Sequence, residues 1–463
     1  MKLHEAFRIV RGDVVAFIGA GGKTSTMVAL AHELADKGWR VLVTTTTRIG
    51  RDELDLMPIA LAADAPAETI SAALAQPGFV FLYGDIGEQK VQGIAPDAVA
   101  GMLDRVDSDV MLIEADGARG LLLKAPYGHE PVIPTEALLV VPVVSMDVLG
   151  QPLDETHVYN AAGIDAKYGF GLGNRIKSPW VAQVMRDRDL MMRGVPDHAR
   201  VIGLVNGVPS SGYLLGRGRL IAQLALRVRD DVRGREREDY RRYDGVALAN
   251  VRGANPVHEV QRALGAVVLA AGMAKRMGQM KVLLPWADGR TIIQHIVRQL
   301  TLARLDIESV VVVTGNEAEA VERVLDGTGV RLVHNPLFAT GEMLSSLKVG
   351  LESMPDHVSA ALVVLGDQPR IQARTVGLVG QAYAENAGRI VAPSFEMRRG
   401  HPILIDRMYW REILELPFDG APRDVINAHQ NQVAYVLVDN DSVLQDVDTP
   451  TAYREARRKA GLD

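Results

Sequence analysis

At 463 residues, 48% of them hydrophobic, the chain is too long for one ordinary domain and apolar enough for two or three cores. A formal charge of -6 argues against a general nucleic-acid binder, which carries a basic footprint. The absence of cysteine excludes disulfides and Cys-ligated zinc or iron–sulfur centres.

Charges break every apolar run in the first ten residues, so they do not read as a signal peptide, and no stretch has the length of a membrane span. The expectation is a soluble cytoplasmic protein with neither nucleic acid nor membrane as partner. Short runs rich in Val, Ile and Leu predict strands at 13–18, 40–44, 79–83, 110–114, 137–143 and 201–205. A second series follows at 266–270, 309–314, 330–334, 360–365, 389–392 and 433–438. Continuous apolar runs of this length suit strands buried on both faces. Helical patterns lie between them, as at 24–37 and 291–303, which predicts parallel sheets with crossover helices and an α/β fold in both halves. The charged run 229–242 mixes both signs and reads as a solvated helix face. The polar segment around Gly253, Asn255 and Pro256 marks a join, giving domains at 1–252 and 264–463 with a linker at 253–263.

In the first half, the strand ending at Ile18 runs into Gly19-Ala-Gly21-Gly22-Lys23-Thr24 and then a helix. Backbone N–H groups of such a loop cradle phosphates, Lys23 reaches the β and γ oxygens, and Thr24 ligates magnesium. The standard longer loop needs Gly where Phe17 stands, so this is a shorter variant. The buried strand at 110–114 ends in Glu114-Ala-Asp116, acids placed to orient a metal. Thr44–Thr47 read mostly as a β-favouring strand end. The segment Lys124-Ala-Pro…His129-Glu130-Pro holds a basic, an imidazole and an acidic group, and His129 is weighed equally as general base or structural residue.

With these motifs, roughly the first 240 residues resemble the selenium-dependent hydroxylase accessory family. The resemblance implies a P-loop-type parallel α/β domain that binds ATP or GTP and acts in maturation of molybdenum hydroxylases, with the apo-hydroxylase as partner. Asn206-Gly-Val-Pro209 stands where relatives tend to read Asn-Lys-x-Asp, so the acid that would read guanine is missing and ATP is favoured.

In the second half, the strand at 266–270 feeds Ala270-Ala271-Gly272, then Arg276 and Lys281. Small residues let backbone amides approach an anion, and the two cations meet charge on a transferring phosphoryl group. The strand at 360–365 ends in Gly366-Asp367-Gln-Pro, and Asp446-Val-Asp448-Thr-Pro lies near the end of the chain. Strand ends line the ligand crevice of an open α/β sheet, so Asp367 is expected to face Gly272. Asp367 and Asp448 with nucleotide phosphates suit magnesium, while the bland alternative makes each a helix cap.

Together with Asn335-Pro…Gly341…Ser345-Ser346 and Gly400-His-Pro402, these motifs resemble the molybdenum-cofactor nucleotidyltransferase family from about Leu264 onward. The resemblance implies a Rossmann-like GT-A fold. It places Ala270, Ala271 and Gly272 on base and ribose, Arg276 and Lys281 on the triphosphate as catalytic groups, and Asp367 and Asp448 on Mg2+. Ala-Ala-Gly looks like the cytidine-using branch, which implies CTP as substrate and molybdopterin as acceptor. Two alternatives stay open: a sugar or other small-phosphate nucleotidyltransferase fused to a P-loop kinase, and an N-terminal half that is a non-catalytic cofactor carrier or insertion chaperone. Gly420-Ala-Pro-Arg423 departs from the Gly-Ala-Arg turn common in the family, leaving the role of Arg423 open.

Overall fold

The computed structural model describes residues 1–227, 240–272, 277, 279–303, 305 and 309–463. Arg276 and most of the charged run at 229–242 lie outside the described residues. The chain divides into two compact units, Met1–Gln261 and Arg262–Asp463.

The first unit is built on a nine-stranded sheet. In chain order its strands are β1 (Val14–Gly19), β2 (Val41–Thr45), β3 (Ile59–Ala62), β4 (Val80–Tyr83), β5 (Val110–Glu114), β6 (Leu139–Ser145), β7 (Arg200–Asn206), β8 (Gly245–Ala249) and β9 (Val257–Gln261). They are ordered β9-β8-β7-β6-β1-β5-β2-β4-β3 across the sheet. All neighbours pair in parallel except β9, which runs antiparallel to β8. Every residue of β1, β2, β5 and β6 is buried, as strands covered on both faces require. β1 lies between β5 and β6, so the chain switches sides of β1 there and opens a crevice at the carboxyl end of the strand. Helix α1 (Lys23–Ala35) starts from that crevice.

β9 occupies residues that the sequence analysis assigned to a linker. Val257 and Val260 are buried, and a connection of seven residues from Ala249 is too short for a parallel crossover, so the segment folds back as an antiparallel edge.

The second unit has an eight-stranded sheet. Its strands are β10 (Leu264–Leu269), β11 (Val310–Thr314), β12 (Arg331–His334), β13 (Ala360–Leu365), β14 (Ile390–Phe395), β15 (Arg398–Arg399), β16 (Ile403–Asp406) and β17 (Val433–Leu437). The order is β12-β11-β10-β13-β16-β14, with β15 and β17 also pairing with β14. β10 to β13 form the expected parallel core. β16 departs from the all-parallel expectation and runs antiparallel to both β13 and β14. The cause is local: Glu396 and Met397 adopt positive φ of 48° and 63°, which closes a two-residue hairpin after β14 and returns the chain directly. Helices α2 (Ile292–Leu302), α3 (Glu342–Glu352) and α4 (Pro450–Lys459) follow; α2 is closed by a capping box from Thr291 and Gln294.

Candidate functional site

Each unit gathers its charged motif residues at the carboxyl ends of its central strands. In the first, the loop 19–24 is packed so tightly that only glycine fits at three positions. A Cβ on Gly19 would lie 2.3 Å from the Val143 carbonyl oxygen, one on Gly21 2.6 Å from Ser145, and one on Gly22 2.4 Å from Asn206 Nδ2. All three glycines have positive φ. Asn206 at the end of β7 donates to the Gly21 carbonyl at 2.9 Å, and its Oδ1 accepts from the Val251 amide at 3.2 Å.

Lys23 is buried at the start of α1 and turned back toward the loop. Its Nζ donates to the Gly19 carbonyl at 2.8 Å and lies 3.2 Å from Asp116 and 3.6 Å from Glu114. Burial alone would lower its pKa, but the two carboxylates more than offset this and raise it. Glu114 is pushed up by burial, with Lys23 and Thr24 opposing. Thr24 donates to Glu114 at 2.7 Å and has Glu53 at 3.1 Å. Asp116 accepts from the Gly19 amide at 2.9 Å and also meets Lys124 at 3.4 Å. Lys124 is itself buried, 2.7 Å from Glu130, with its ammonium over the Tyr159 ring. His129 is exposed beside this cluster, which favours neither of its two readings. The hydroxyls of Thr44, Thr45 and Thr46 bond to the carbonyls of Leu82, Glu114 and Val132, so they tie the end of β2 to neighbouring backbone, in line with the bland reading.

In the second unit, β10 and β13 end side by side. The Gly366 amide donates to the Leu269 carbonyl at 3.0 Å. Ala270 and Ala271 are buried, their methyls packed into different hydrophobic clusters. Any contact of these alanines with a base would therefore run through their backbone, while Gly272 is exposed. Buried Asn335 donates to Ser345 at 2.8 Å and Ser346 at 2.9 Å, tying the segment after β12 to α3.

Two motifs distant in sequence are stitched together here. The Val447 amide donates to the Asp367 carbonyl at 2.9 Å, and Gln368 donates to Asp446 at 2.7 Å. This sets Asp448 beside Asp367, and Lys281 bridges them: its Nζ lies 3.3 Å from Asp367 and donates to Asp448. Neither acid is a helix cap, since Thr449 caps α4 and Asp367 precedes no helix directly. Burial raises the pKa of Asp367 against the pull of Lys281, and Lys281 itself is raised because the two acids outweigh its burial. His401 was marked by its motif alone; burial and nearby Arg399 push its pKa down to about 4, so it is a neutral imidazole. Arg423 is exposed in the first turn of a helix that begins at Pro422.

Among the described residues no three carboxylate or imidazole groups converge to hold a metal ion unaided. The acids come in pairs with a lysine between them, a donor set that suits a cation arriving with phosphates. No helix among the described residues is long and apolar enough to cross a membrane.

The family model described as YqeC protein matches residues 15–162, and the one described as MobA-like NTP transferase domain matches residues 266–433. The YqeC protein of Escherichia coli K12 is 32% identical over 215 residues, covering 46% of this chain and 83% of that protein. The molybdenum cofactor cytidylyltransferase of the same organism is 25% identical over 202 residues, 42% of this chain and 97% of that enzyme. The crystal structure of Rv0371c from Mycobacterium tuberculosis H37Rv is 26% identical, covers 42% of this chain and 98% of that one, and superposes with a TM-score of 0.38.

Proposed function

Because this chain belongs to the YqeC family through its first half and carries a MobA-like NTP transferase domain in its second, it is a nucleotidyltransferase, and we propose that it transfers CMP from CTP to the molybdenum cofactor. The observation that carries this reading is the meeting of Lys281, Asp367 and Asp448 at the ends of β10 and β13. A terminal phosphate oxygen of molybdopterin attacks the α-phosphorus of CTP, the bond to the β-phosphate oxygen breaks, and pyrophosphate leaves with the electron pair. Lys281 turns from the two acids toward the triphosphate and balances charge that builds on it. Asp367 and Asp448 are the groups that would hold Mg2+, which supplies a Lewis acid and a template for the phosphates. The backbone from Ala270 to Gly272 lies along the nucleoside, and Arg276 is assigned to the triphosphate on its motif alone. The choice of CTP is supported by the Ala-Ala-Gly loop and by the name of the Escherichia coli relative.

In the first unit, Gly19, Gly21 and Gly22 form the cradle for an NTP, taken as ATP. Lys23 and Thr24 face its β and γ phosphates, with Glu114 and Asp116 as neighbouring acids. This unit serves maturation of a molybdenum hydroxylase, whose apo-enzyme is its partner. The test is to incubate the protein with CTP, GTP or ATP, Mg2+ and molybdenum cofactor and to weigh the dinucleotide formed. The cytosine dinucleotide is expected; a guanine dinucleotide without turnover of CTP would sink the proposal.

A further inference from the structure

Thr24 has a single hydroxyl proton, yet two carboxylates converge on its oxygen: Glu114 at 2.7 Å and Glu53 at 3.1 Å. Glu114 comes from the end of β5. Glu53 comes from a 3-10 turn (Arg51–Leu56) that no motif marks. Its second oxygen accepts from the Gly50 amide at 2.7 Å, which fixes the side chain toward the phosphate loop. Asp116, by contrast, is already surrounded by donors: the Gly19 amide, Lys23 and Lys124. Lys23 lies between Glu114 and Asp116, and Lys124 between Asp116 and Glu130. Two independent features point to a ligand here. The loop is a cradle that a Cβ at Gly19, Gly21 or Gly22 would fill, and two carboxylates from different elements converge on the one hydroxyl of Thr24, with Lys23 3.6 Å from Glu114.

We propose that the first unit takes a divalent cation at Thr24, Glu114 and Glu53, with Asp116 acting instead as the anchor that positions Lys23 and Lys124. This rests on the reading of residues 19–24 as a triphosphate loop. Two carboxylates and a hydroxyl fill half of an octahedral shell, so the cation binds with a triphosphate and water and not alone. Glu53 also makes the site responsive. Its turn follows directly on the strand Arg48–Gly50, which pairs with Lys90–Gln92, so cation binding at Glu53 bears on that small sheet.

The experiment uses the full chain, a fluorescent non-hydrolysable ATP analogue, and Mn2+ followed by its paramagnetic resonance signal. In the wild type, Mg2+ is expected to tighten analogue binding, and Mn2+ to bind only when the analogue is present. Glu53→Gln keeps an oxygen for the Gly50 amide but loses the charge. It is expected to bind the metal-free analogue at least as tightly as the wild type, since a negative charge beside the phosphates is gone, while lowering the metal enhancement and Mn2+ affinity by about tenfold or more. Metal-free affinity no weaker than that of the wild type separates this from a folding defect, and protection of residues 48–56 from proteolysis by Mg2+ and analogue should be lost with the charge. Full metal enhancement in Glu53→Gln overturns the assignment, as does its loss in Asp116→Asn alone. A wild type that binds no analogue, with or without metal, overturns the triphosphate reading itself, a result distinct from either.

Discussion

Lys281 Nζ sits 3.3 Å from Asp367 Oδ2, though 86 residues of chain separate them, and the same ammonium donates to Asp448. An unpaired Asp367 in this half-buried position would pay for its burial by taking up a proton; the lysine opposes that, and a metal–triphosphate complex would take over the role. Lys281→Met is therefore expected to lower kcat/KM for cytidylyl transfer by about 10²–10³-fold, the scale of removing one charge-stabilising donor. Steady-state kinetics with a circular dichroism check of folding would measure it, and wild-type rates in the variant would refute the role.

Lys23→Ala should remove nucleotide binding by the first unit and leave cytidylyl transfer near the wild-type rate. The two sites lie in separate compact units, each with its own lysine and acids. Titration of the full chain with a triphosphate analogue, run beside the transfer assay, tests this. Loss of both activities together would contradict two independent sites.

Gly21→Ala meets two obstacles at once, a φ of +85° and a Cβ 2.6 Å from both Cβ and the amide nitrogen of Ser145. The obstruction is backbone, which cannot swing aside. The expected cost is about 1–3 kcal/mol of stability, together with lost nucleotide affinity. Denaturant titration reads the first and analogue binding the second.

Lys124 is 1% exposed and is shared by Glu130 and Asp116. Lys124→Met leaves Glu130 without its cation and Asp116 with Lys23 alone, and should destabilise the first unit by about 3–5 kcal/mol. Adding Glu130→Gln should restore part of that loss, since one uncompensated charge is then removed. A double variant no more stable than the single one would argue against the pairing.

Asp109 supplies the pH test. Arg40 binds it through its amide at 2.8 Å and through its guanidinium, and those hydrogen bonds hold the Asp109 carboxyl below its ordinary value of 3.8. The unfolded chain therefore takes up this proton first as acid is added. The pair's contribution is complete above about pH 4 and is lost as pH falls through the depressed folded value. Asp109→Asn should cost about 1–3 kcal/mol near neutrality, with the gap to wild type narrowing below pH 4. Parallel stability curves for the two proteins would show that the pair is not linked to protonation.

The sequence was legible where chemistry and periodicity coincide. The buried runs before Gly19 and Ala270 are strands at the expected places, and the acids at 114, 116 and 367 stand at strand ends because uninterrupted apolar runs stop there. Less legible were features set by connection length and by tertiary neighbours. The antiparallel β16 depends on positive φ at Glu396 and Met397, residues with no strong preference for it. The resemblance places Ala271 on base and ribose, yet its methyl turns into the core. Glu53 carries no motif at all; it reaches Thr24 only because the chain after β2 folds back over α1's first turn, and the sole signal was a carboxylate three residues after Gly50, able to cap it. Asn206 was noted for the acid missing after it, whereas its own side chain fastens the glycine loop at Gly21.

That fastening has a thermodynamic consequence. Gly21 is pressed against Ser145 on one side and held by Asn206 on the other, and Asn206 is itself fixed to Val251. The mould proposed for the phosphates thus has little backbone freedom to surrender on binding. Affinity in the first unit should accordingly be limited by stripping water from charged groups and by turning Lys23 away from its acids, more than by ordering the chain. Loosening the mould, as Asn206→Ala would, converts that saved ordering cost into weaker binding without touching a single group that meets the nucleotide.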